Sequence, residues 1–448
     1  ILIARYLNIS DFGEYTTALG VATFFSTFVN IGINQTLVRA INLDSAHERE
    51  HLGNTLATKS VLSLAVYSIM SFSLFFTDYN RNTIYLILIF GLVRIGTEYM
   101  TAFYALYEAK EKFKTSSFFN FLLSSSILAT TLIVILYHGG YYHFAITRFA
   151  AVFVVLLVLV FYTIKDFNIK FSKSTMWYFL KSSIPFGLYS IFWYSLQRTN
   201  ILILSLIHGT DPVGYFNNGF IFLVTLTFIP ANMNKVLVPF LYKTSYEHDK
   251  MKYQFTFDIF SKLFGIVSFY LFLMLFLFSK NIIALLFGAK YTQSASILEI
   301  SAFAIPFLFN TASTIITSLD NQHINTRIAG WAVVLNLILN LTFIYYFEAN
   351  GAAIASVITF GFIFITSHVI VWKYRILSLR KIFLVNIRLI IVAVIVFMFH
   401  RIMLQNMNWI FTAAIDSIIF ATLTLFFMIR EDDVRIIKET IFAKNTTD

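Results

Sequence analysis

The first residues whose spacing could do chemistry are His47, Glu48 and His51, in the stretch HEREH. On a helix, two histidines four positions apart place their imidazoles on one face. There they can bind zinc, with the glutamate beside the first histidine as a general base. The surrounding stretch, SAHEREHLGN, is polar, and no third ligand is apparent. We therefore predict that both histidines are solvated and that the motif binds no metal.

Ionisable residues within long apolar stretches are stronger candidates, because a charge in hydrocarbon is costly and usually faces an interior cavity. Arg94 and Glu98 are four apart in GLVRIGTEYM, so they share one helix face. Arg198, in WYSLQRTNIL, has Gln197 beside it and no acidic residue within two helical turns. Arg148, in AITRFAA, is nearer the end of its apolar stretch. Such arginines require water, a partner helix or an anionic ligand.

Structural alternatives remain open for the same residues. Arg94 and Glu98 could be a pair that merely neutralises itself, and Arg148 could extend its long side chain to the membrane surface. Asn336 and Asn340, with Asn310, are expected to bridge helices. We nevertheless predict that the arginines face a cationic cavity and that Glu98 is the residue coupled to an ion.

The composition indicates the class of protein in which these residues lie. The protein has 448 residues, of which 58% are hydrophobic, 52 are Phe and only 12% are charged. Its mean hydropathy is +0.75. A soluble domain of this size cannot bury so much apolar surface, whereas a bilayer can cover it. The absence of Cys excludes disulfides and thiolate metal sites. The sequence therefore predicts an all-α, polytopic membrane protein.

A membrane-spanning helix needs about 20 apolar residues. Thirteen stretches meet this length after an apolar opening segment at residues 1–7, and the connectors between them are short and polar. The predicted spans are 15–38, 55–77, 83–107, 116–137, 144–164, 183–207, 215–239, 254–278, 297–318, 328–347, 351–372, 385–403 and 409–429.

The distribution of basic residues predicts the orientation. Most of the 33 Lys and Arg residues, Lys59 among them, fall on one alternate set of connectors and on the C-terminal tail. The opposite set holds only Arg5, Arg81, Lys280, Lys290 and Arg401. Because cytoplasmic loops carry an excess of Lys and Arg, we expect the basic side, including the C-terminus, to be cytoplasmic.

An internal repeat divides the chain. Residues 11–40 align without a gap with residues 211–240. In this alignment Asp11 matches Asp211 and Asn34 matches Asn234. An even number of spans lies between the copies, so the repeat is parallel. We predict two parallel six-helix bundles at 1–164 and 183–372, a cytoplasmic linker at 165–182, and an extra helix pair with a cytoplasmic tail at 373–448. The first helix is expected to be incomplete.

The opening stretch LIARYLNISDFGEYTTALGVATFFSTFVNIGINQTLVRAI resembles the start of Wzx-type polysaccharide flippases. In that family a helix ends in an A-R-x-L-like pattern, a turn with Gly-x-Tyr follows, and a second helix ends in an L-V-R-like pattern. The matching residues are Ala4, Arg5, Leu7, Gly13, Tyr15, Leu37, Val38 and Arg39. The parallel repeat with an extra helix pair is similar to the wider superfamily of multidrug, oligosaccharidyl-lipid and polysaccharide exporters.

This resemblance implies a flippase, not an enzyme, in the inner membrane of a bacterium. It would move an undecaprenyl-pyrophosphate-linked oligosaccharide, such as an O-antigen unit, to the outer leaflet by alternating access of two halves. It would need no cofactor beyond a possible sodium or proton gradient, and polymerases and glycosyltransferases are possible partners. The implied cavity candidates are Arg198, Arg94, Arg148, Gln197, Arg5 and Arg39. A cation-coupled multidrug exporter and a membrane polysaccharide polymerase or ligase remain as alternatives.

Overall fold

A computed structural model of the chain describes residues 1–164, 172–246, 250–309, 311–319, 321–373, 379–404 and 407–428. The regular structure of these residues is helical, which confirms the predicted all-α class. The chain forms two compact units, Ile1–Asn217 with Ala329–Ala352, and Asn218–Ile328 with the described part of Ala353–Asp448. Residues 165–171 of the predicted linker, Asn310 and the tail beyond Met428 lie outside the described residues. The predicted division into halves stays a prediction.

The first unit is built around one long helix, α5, which packs against α2, α3, α4, α6 and α7. The helix α8 packs on α2, α3 and α4 of the same unit. The helices up to the end of α9 are α1 (Leu2–Tyr6), α2 (Ile9–Ser26), α3 (Ile33–Leu43), α4 (Glu48–Ser73), α5 (Arg81–Ala109), α6 (Phe113–Leu136), α7 (Tyr141–Ile164), α8 (Lys173–His208) and α9 (Asp211–Leu226).

The second unit is organised around α11, which packs against α10, α13, α14, α15, α17 and α18. The last two helices, the predicted extra pair, therefore lie against α11. The remaining helices of the chain are α10 (Phe228–Tyr246), α11 (Lys250–Leu277), α12 (Ser279–Phe287), α13 (Ser294–Ala302), α14 (Ile305–Leu308), α15 (Thr311–Ser318), α16 (Gln322–Lys373), α17 (Leu379–Phe399) and α18 (Trp409–Met428). A kink at Glu348, where φ is 50°, separates the two spans predicted within α16.

Two prolines determine where helices end. Pro230 and Pro306 each lie four residues after the last residue of a helix, Leu226 of α9 and Ala302 of α13. A proline ring clashes with the carbonyl oxygen four positions earlier, so the helix stops there. The predicted span 215–239 is still recovered as one candidate span, Asp211–Lys235, interrupted only at Thr227. The span predicted at 297–318 is not a single helix, because it is divided among α13, α14 and α15.

The repeat unit is a broken helix in both copies. The predicted span 15–38 is also wrong as one helix, because α2 ends at Ser26 and α3 begins after Gly32, whose φ of 72° favours glycine. At the two breaks, Thr27 and Thr227 occupy equivalent repeat positions. Each donates its hydroxyl to a carbonyl three residues earlier, at 2.7 Å in both cases.

Among the described residues, nine helices are long and apolar enough to cross a membrane, or ten if a bent pair counts as one span. The long α16 holds two of the predicted spans. Large apolar side chains are exposed along these helices, for example Phe75, Phe121 and Phe426. Exposure of such side chains is expected only against lipid, so the chain is a multi-pass membrane protein.

The predicted helix-bridging role of Asn340 is confirmed. Its amide donates to Asn200 on α8 at 2.7 Å and to Asn336, one turn earlier on α16, at 2.8 Å. All three side chains are buried. The bridge joins the 329–352 segment to the rest of the first unit.

Candidate functional site: a cluster of buried cations

The site begins with a carboxylate on α5. Glu98 is 8% exposed, and its Oε2 lies 3.3 Å from the ammonium of Lys59 on α4. The Lys59 Nζ also donates to the Glu98 backbone oxygen at 2.7 Å and to Thr101 Oγ1 at 2.9 Å. An ammonium has three donors, and these three acceptors satisfy all of them. Lys59, whose side chain is 0% exposed, therefore fixes Glu98 in place.

Arg94 is the more accessible cation of the group. Its Nη2 lies 3.9 Å from Glu98 Oε1, beyond hydrogen-bond distance, and its side chain is 27% exposed. Its Nε donates to Ser26 Oγ at 3.1 Å, at the end of α2. Arg94, Ser26 and Ser63 line a small recess of about 10 Å³ between α2, α4 and α5. The guanidinium is thus anchored on one side and retains donors for another acceptor.

Two further arginines of the first unit lie near Arg94. Arg148 on α7 and Arg198 on α8 are each close enough to Arg94 for the like charges to repel. The Nε of Arg148 is buried, and the described residues give it no hydrogen-bond partner. The described residues also provide no ion pair for Arg198, which is half-buried.

The cluster has an excess of positive charge. Lys59 and Arg94 lie beside one described carboxylate, Glu98, and Arg148 and Arg198 each interact repulsively with Arg94. Like charges so close raise the energy of the empty site, and an anion with several oxygens lowers it. Guanidinium groups bind phosphate oxygens through paired hydrogen bonds. The cluster can therefore bind a polyvalent anion, and it repels a cation.

Of the seven predicted site residues, Arg94 and Glu98 lie 3.9 Å apart, and Arg148 and Arg198 interact repulsively with Arg94; their role in a substrate site stays a prediction. Gln197 is buried on α8, next to Arg198. Arg5 is exposed on α1, and Arg39 lines another recess of about 660 Å³ with residues of α3 and α5. The cavity roles of Arg5, Arg39 and Gln197 stay predictions.

Sequence analysis missed Lys59 and Ser26. The basic-residue count grouped Lys59 with the cytoplasmic connectors, whereas the structure places it inside α4, fully buried. Lys59 can be buried because it pairs with Glu98, and this partner could not be seen locally because it is 39 positions away in sequence. The sequence did indicate that Lys59 needs a partner, because it falls inside the predicted span 55–77, where an unpaired charge is costly.

The zinc-like motif has a different environment from the one predicted for it. His47 is exposed and its Nδ1 lies 2.8 Å from Asp44 Oδ2, as expected for a solvated side chain. The hydrogen bond from His47 lowers the pKa of Asp44. The prediction that His51 is solvated is wrong. Its ring packs on Phe179 of α8 at 5.7 Å between centroids, and both ring nitrogens are buried without a described partner.

One ion pair supports the predicted alternation of connectors. Lys110 Nζ lies 2.8 Å from Glu48 Oε1, which joins the connector before α4 to the one after α5. Both connectors were predicted on the basic side of the membrane. At least in this part of the first unit, the two connectors therefore share one side.

The resemblance motif is explained by packing. Gly13 and Tyr15 lie within α2 rather than in a turn. A Cβ on Gly13 would lie 2.4 Å from the Thr210 backbone oxygen, so only glycine permits this close approach. The Tyr15 ring packs edge-on against Phe90 of α5, with centroids 5.0 Å apart. These residues hold α2 against its neighbours.

Comparison with known proteins gives a family and a fold. Residues 1–245 match a family described as "Polysaccharide biosynthesis protein", which covers more than half of the chain. The comparison with curated proteins found no match.

Among solved structures, the chain is similar to the lipid II flippase MurJ in an inward-closed conformation. The TM-score is 0.79 at 16% identity, over 99% of this chain and 96% of that one. It is also similar to an inward-facing multidrug resistance MATE family transporter of the MOP superfamily. There the TM-score is 0.63 at 15% identity, over 84% of this chain and 94% of that one. At these identities the similarity concerns the fold.

Proposed function

Because the chain belongs to the polysaccharide biosynthesis protein family, we propose that it is a flippase for an undecaprenyl-pyrophosphate-linked oligosaccharide, moving it from the cytoplasmic to the outer leaflet. The observation that carries this proposal is the excess of cations around Glu98 in the first unit. A site of that charge within a membrane-spanning unit suits a pyrophosphate. The likeness of the fold to a lipid II flippase supports the same class of substrate.

The physical need for such a site follows from the substrate. A pyrophosphate and the many hydroxyls of an oligosaccharide cannot cross hydrocarbon unaided, since each unpaired polar group costs several kcal/mol. A cationic site offers the pyrophosphate hydrogen bonds during passage, while the polyprenyl tail stays in the bilayer. An inside-negative potential also favours outward movement of anions, by about 2.3 kcal/mol per charge per 100 mV.

The residues have separate tasks in this mechanism. Arg198, which has no described ion pair, is the first to engage the pyrophosphate, and Arg94 and Arg148 join it. Arg94 exchanges its long contact with Glu98 for the incoming phosphate, because its distance to the carboxylate is already 3.9 Å. Lys59 keeps Glu98 neutralised meanwhile. Alternating access of the two halves then exposes the substrate to the outer leaflet.

Return of the empty protein is the step at which an ion gradient would act. In the proposal, Glu98 exchanges a proton or sodium ion at this step, after the substrate has left and before Arg94 returns to it. The protein otherwise acts without a cofactor. Polymerases and glycosyltransferases of the same biosynthesis would supply and consume the lipid-linked oligosaccharide in the inner membrane of a bacterium.

Reconstitution in liposomes tests the proposal directly. The lipid-linked oligosaccharide would carry a fluorophore on its sugar, and an impermeant reductant would quench the molecules exposed in the outer leaflet. We expect complete quenching when the protein is present and partial quenching without it. A matched glycolipid without pyrophosphate should not move. Efflux of a cationic dye with no movement of the pyrophosphate lipid would assign a multidrug exporter instead, and lengthening of the oligosaccharide would assign a polymerase.

A further inference from the structure

A second polar recess lies in the other unit, where α11 and α17 end. It has a volume of about 230 Å³, and its lining includes Lys280, Asn281, Glu299, His400 and Arg401. The first two follow α11 at the start of α12, Glu299 is on α13, and the last two are in the single π-helical turn after α17. The candidate membrane spans of α11 and α17 are Phe257–Leu277 and Phe383–Leu404. The recess is lined by the last residues of both spans and by Lys280 and Asn281 beyond the first, so it lies at one end of the spans, near the membrane surface. By the orientation predicted above, this is the outer surface.

The recess offers charges of both signs. Lys280 and Arg401 are exposed cations, and Arg401 also lies over the Phe397 ring at 5.7 Å. Glu299 Oε1 accepts a hydrogen bond from Ser279 at 2.7 Å. The described residues give Glu299 neither a cation nor a partner for its other oxygen. The recess therefore has two free cations and one free carboxylate oxygen.

A buried pair fixes the wall of the recess. His400 Nδ1 lies 2.7 Å from Oδ2 of Asp416 on α18, and the two side chains are 15% and 0% exposed. Asp416 Oδ1 has no partner among the described residues. The carboxylate thus holds the imidazole of the π-helical turn in one position, with its Nε2 left for a ligand in the recess. His400 is also packed edge-on against Phe278.

The residues around the recess are of the kinds found where lipid headgroups meet a membrane protein. Trp409 packs near Phe278, at 6.3 Å between centroids, and tryptophan is enriched at membrane interfaces. Met398 and Ile402, next to the recess on α17 and its π-helical turn, are exposed apolar side chains. They provide a surface for acyl chains below a polar headgroup.

We propose that this recess binds the headgroup of an aminophospholipid with a primary ammonium, such as phosphatidylethanolamine. The phosphate would accept hydrogen bonds from Arg401, from Lys280 and, in the imidazolium form that the Asp416 carboxylate stabilises, from His400 Nε2; the ammonium would donate to Glu299 Oε2. A zwitterion satisfies cations and carboxylate together, whereas a purely anionic headgroup leaves Glu299 beside a phosphate. A choline headgroup has no N–H to donate. The site is separate from the cation cluster, so the proposal does not depend on the transported substrate.

Native mass spectrometry of the detergent-purified full chain tests the site, by titration with phosphatidylethanolamine, phosphatidylcholine and phosphatidylglycerol of identical acyl chains. We expect the ethanolamine lipid to bind about tenfold more tightly than the choline lipid, the effect of one charge-assisted hydrogen bond. Arg401→Gln and Lys280→Gln should weaken it by a similar factor. Lys290→Gln, in the same connector but outside the recess lining, is the matched control and should leave binding unchanged.

Glu299→Gln separates this proposal from simpler ones. It should reduce the preference for ethanolamine over choline and increase binding of the glycerol lipid, since the repelling carboxylate is gone. Tighter binding of the glycerol lipid to the unaltered protein would overturn the proposal in favour of an anionic-lipid site. So would displacement of the ethanolamine lipid by inorganic phosphate alone, which would indicate a free-anion site. Unchanged melting temperatures of the variants would show that they remain folded.

Discussion

The ammonium of Lys59 lies 3.3 Å from Glu98 Oε2 and 2.7 Å from the backbone oxygen of the same residue, in the interior of the first unit. This pair joins α4 to α5 and provides Glu98 with a cation closer than Arg94. Arg94 is therefore available to a ligand without leaving a buried carboxylate uncompensated. Lys59 is therefore the structural cation of the cluster, and Arg94 is one that can bind substrate.

The first prediction concerns this division. Lys59→Met should destabilise the protein by about 3–5 kcal/mol, because removing one member of a buried pair leaves the other charged and uncompensated. Adding Glu98→Gln should recover most of that loss. Arg94→Ala, in contrast, should alter stability by less than Lys59→Met while transport falls. The melting temperature in detergent measures stability, and the liposome assay measures transport.

An equal loss of melting temperature in Arg94→Ala and Lys59→Met would contradict this assignment. It would mean that Arg94 compensates the charge of Glu98 as much as Lys59 does. Failure of Glu98→Gln to recover Lys59→Met would show that the two side chains are not energetically coupled.

The second prediction concerns Gly13 in the family-like motif. Gly13→Ala should destabilise the protein by about 1–3 kcal/mol, the usual cost of overpacking, because the added Cβ would clash with the Thr210 backbone oxygen. Gly140→Ala is the matched control, since nothing lies within 4 Å of a Cβ there. Melting temperatures of the two variants measure the difference. Equal values would show that α2 does not approach Thr210 so closely.

The sequence predicted the helical class, most spans and the main cationic residues, because each depends on local composition. Apolar length identifies a span, and an arginine inside one stands out against its neighbours. Two helix ends also have a local cause, because the rings of Pro230 and Pro306 clash with the carbonyl oxygens four residues back, where α9 and α13 end.

The rest depends on contacts between distant residues. The pairing of Lys59 with Glu98 and the packing of His51 on Phe179 join helices that are far apart in sequence. A lysine near the start of a predicted span also looks like one that reaches the membrane surface. The break at Gly32 interrupts a continuous apolar run, so hydropathy alone did not indicate it.

The third prediction concerns the zinc-like motif. His47→Ala should be neutral because the side chain is exposed, whereas His51→Ala should cost about 1 kcal/mol through lost packing on Phe179. Neither change should alter transport or the metal content of the purified protein. Elemental analysis and melting temperature measure these effects. Stoichiometric zinc that disappears in either variant would restore the metal interpretation.

The fourth prediction concerns orientation. The natural chain has no Cys, so single cysteines can be introduced without background. A cysteine at Ser45 or Thr446 should resist an impermeant thiol reagent in intact cells and react after lysis, since both positions are predicted to be cytoplasmic. A cysteine at Lys290 should react in intact cells. Labelling of Ser45→Cys in intact cells would invert the assigned orientation.

The central claim is that the cation cluster binds the pyrophosphate of the transported lipid, and Arg198 tests it best because no described residue pairs with its charge. Arg198→Gln removes the charge, and Arg198→Lys keeps the charge but loses the planar guanidinium. Arg81→Gln, at the exposed start of α5, is the control for loss of one positive charge elsewhere in the first unit.

The decisive measurement is the initial rate of flipping of the fluorescent pyrophosphate-linked oligosaccharide in liposomes containing equal amounts of each variant. A hydrogen bond to a charged group contributes about 1.5–3 kcal/mol. Arg198→Gln should therefore reduce the rate at limiting substrate by about ten- to a hundredfold. Arg198→Lys should retain an intermediate rate, and Arg81→Gln should match the unaltered protein. A normal rate for a correctly folded Arg198→Gln protein would contradict the account and remove the cluster from the transport mechanism.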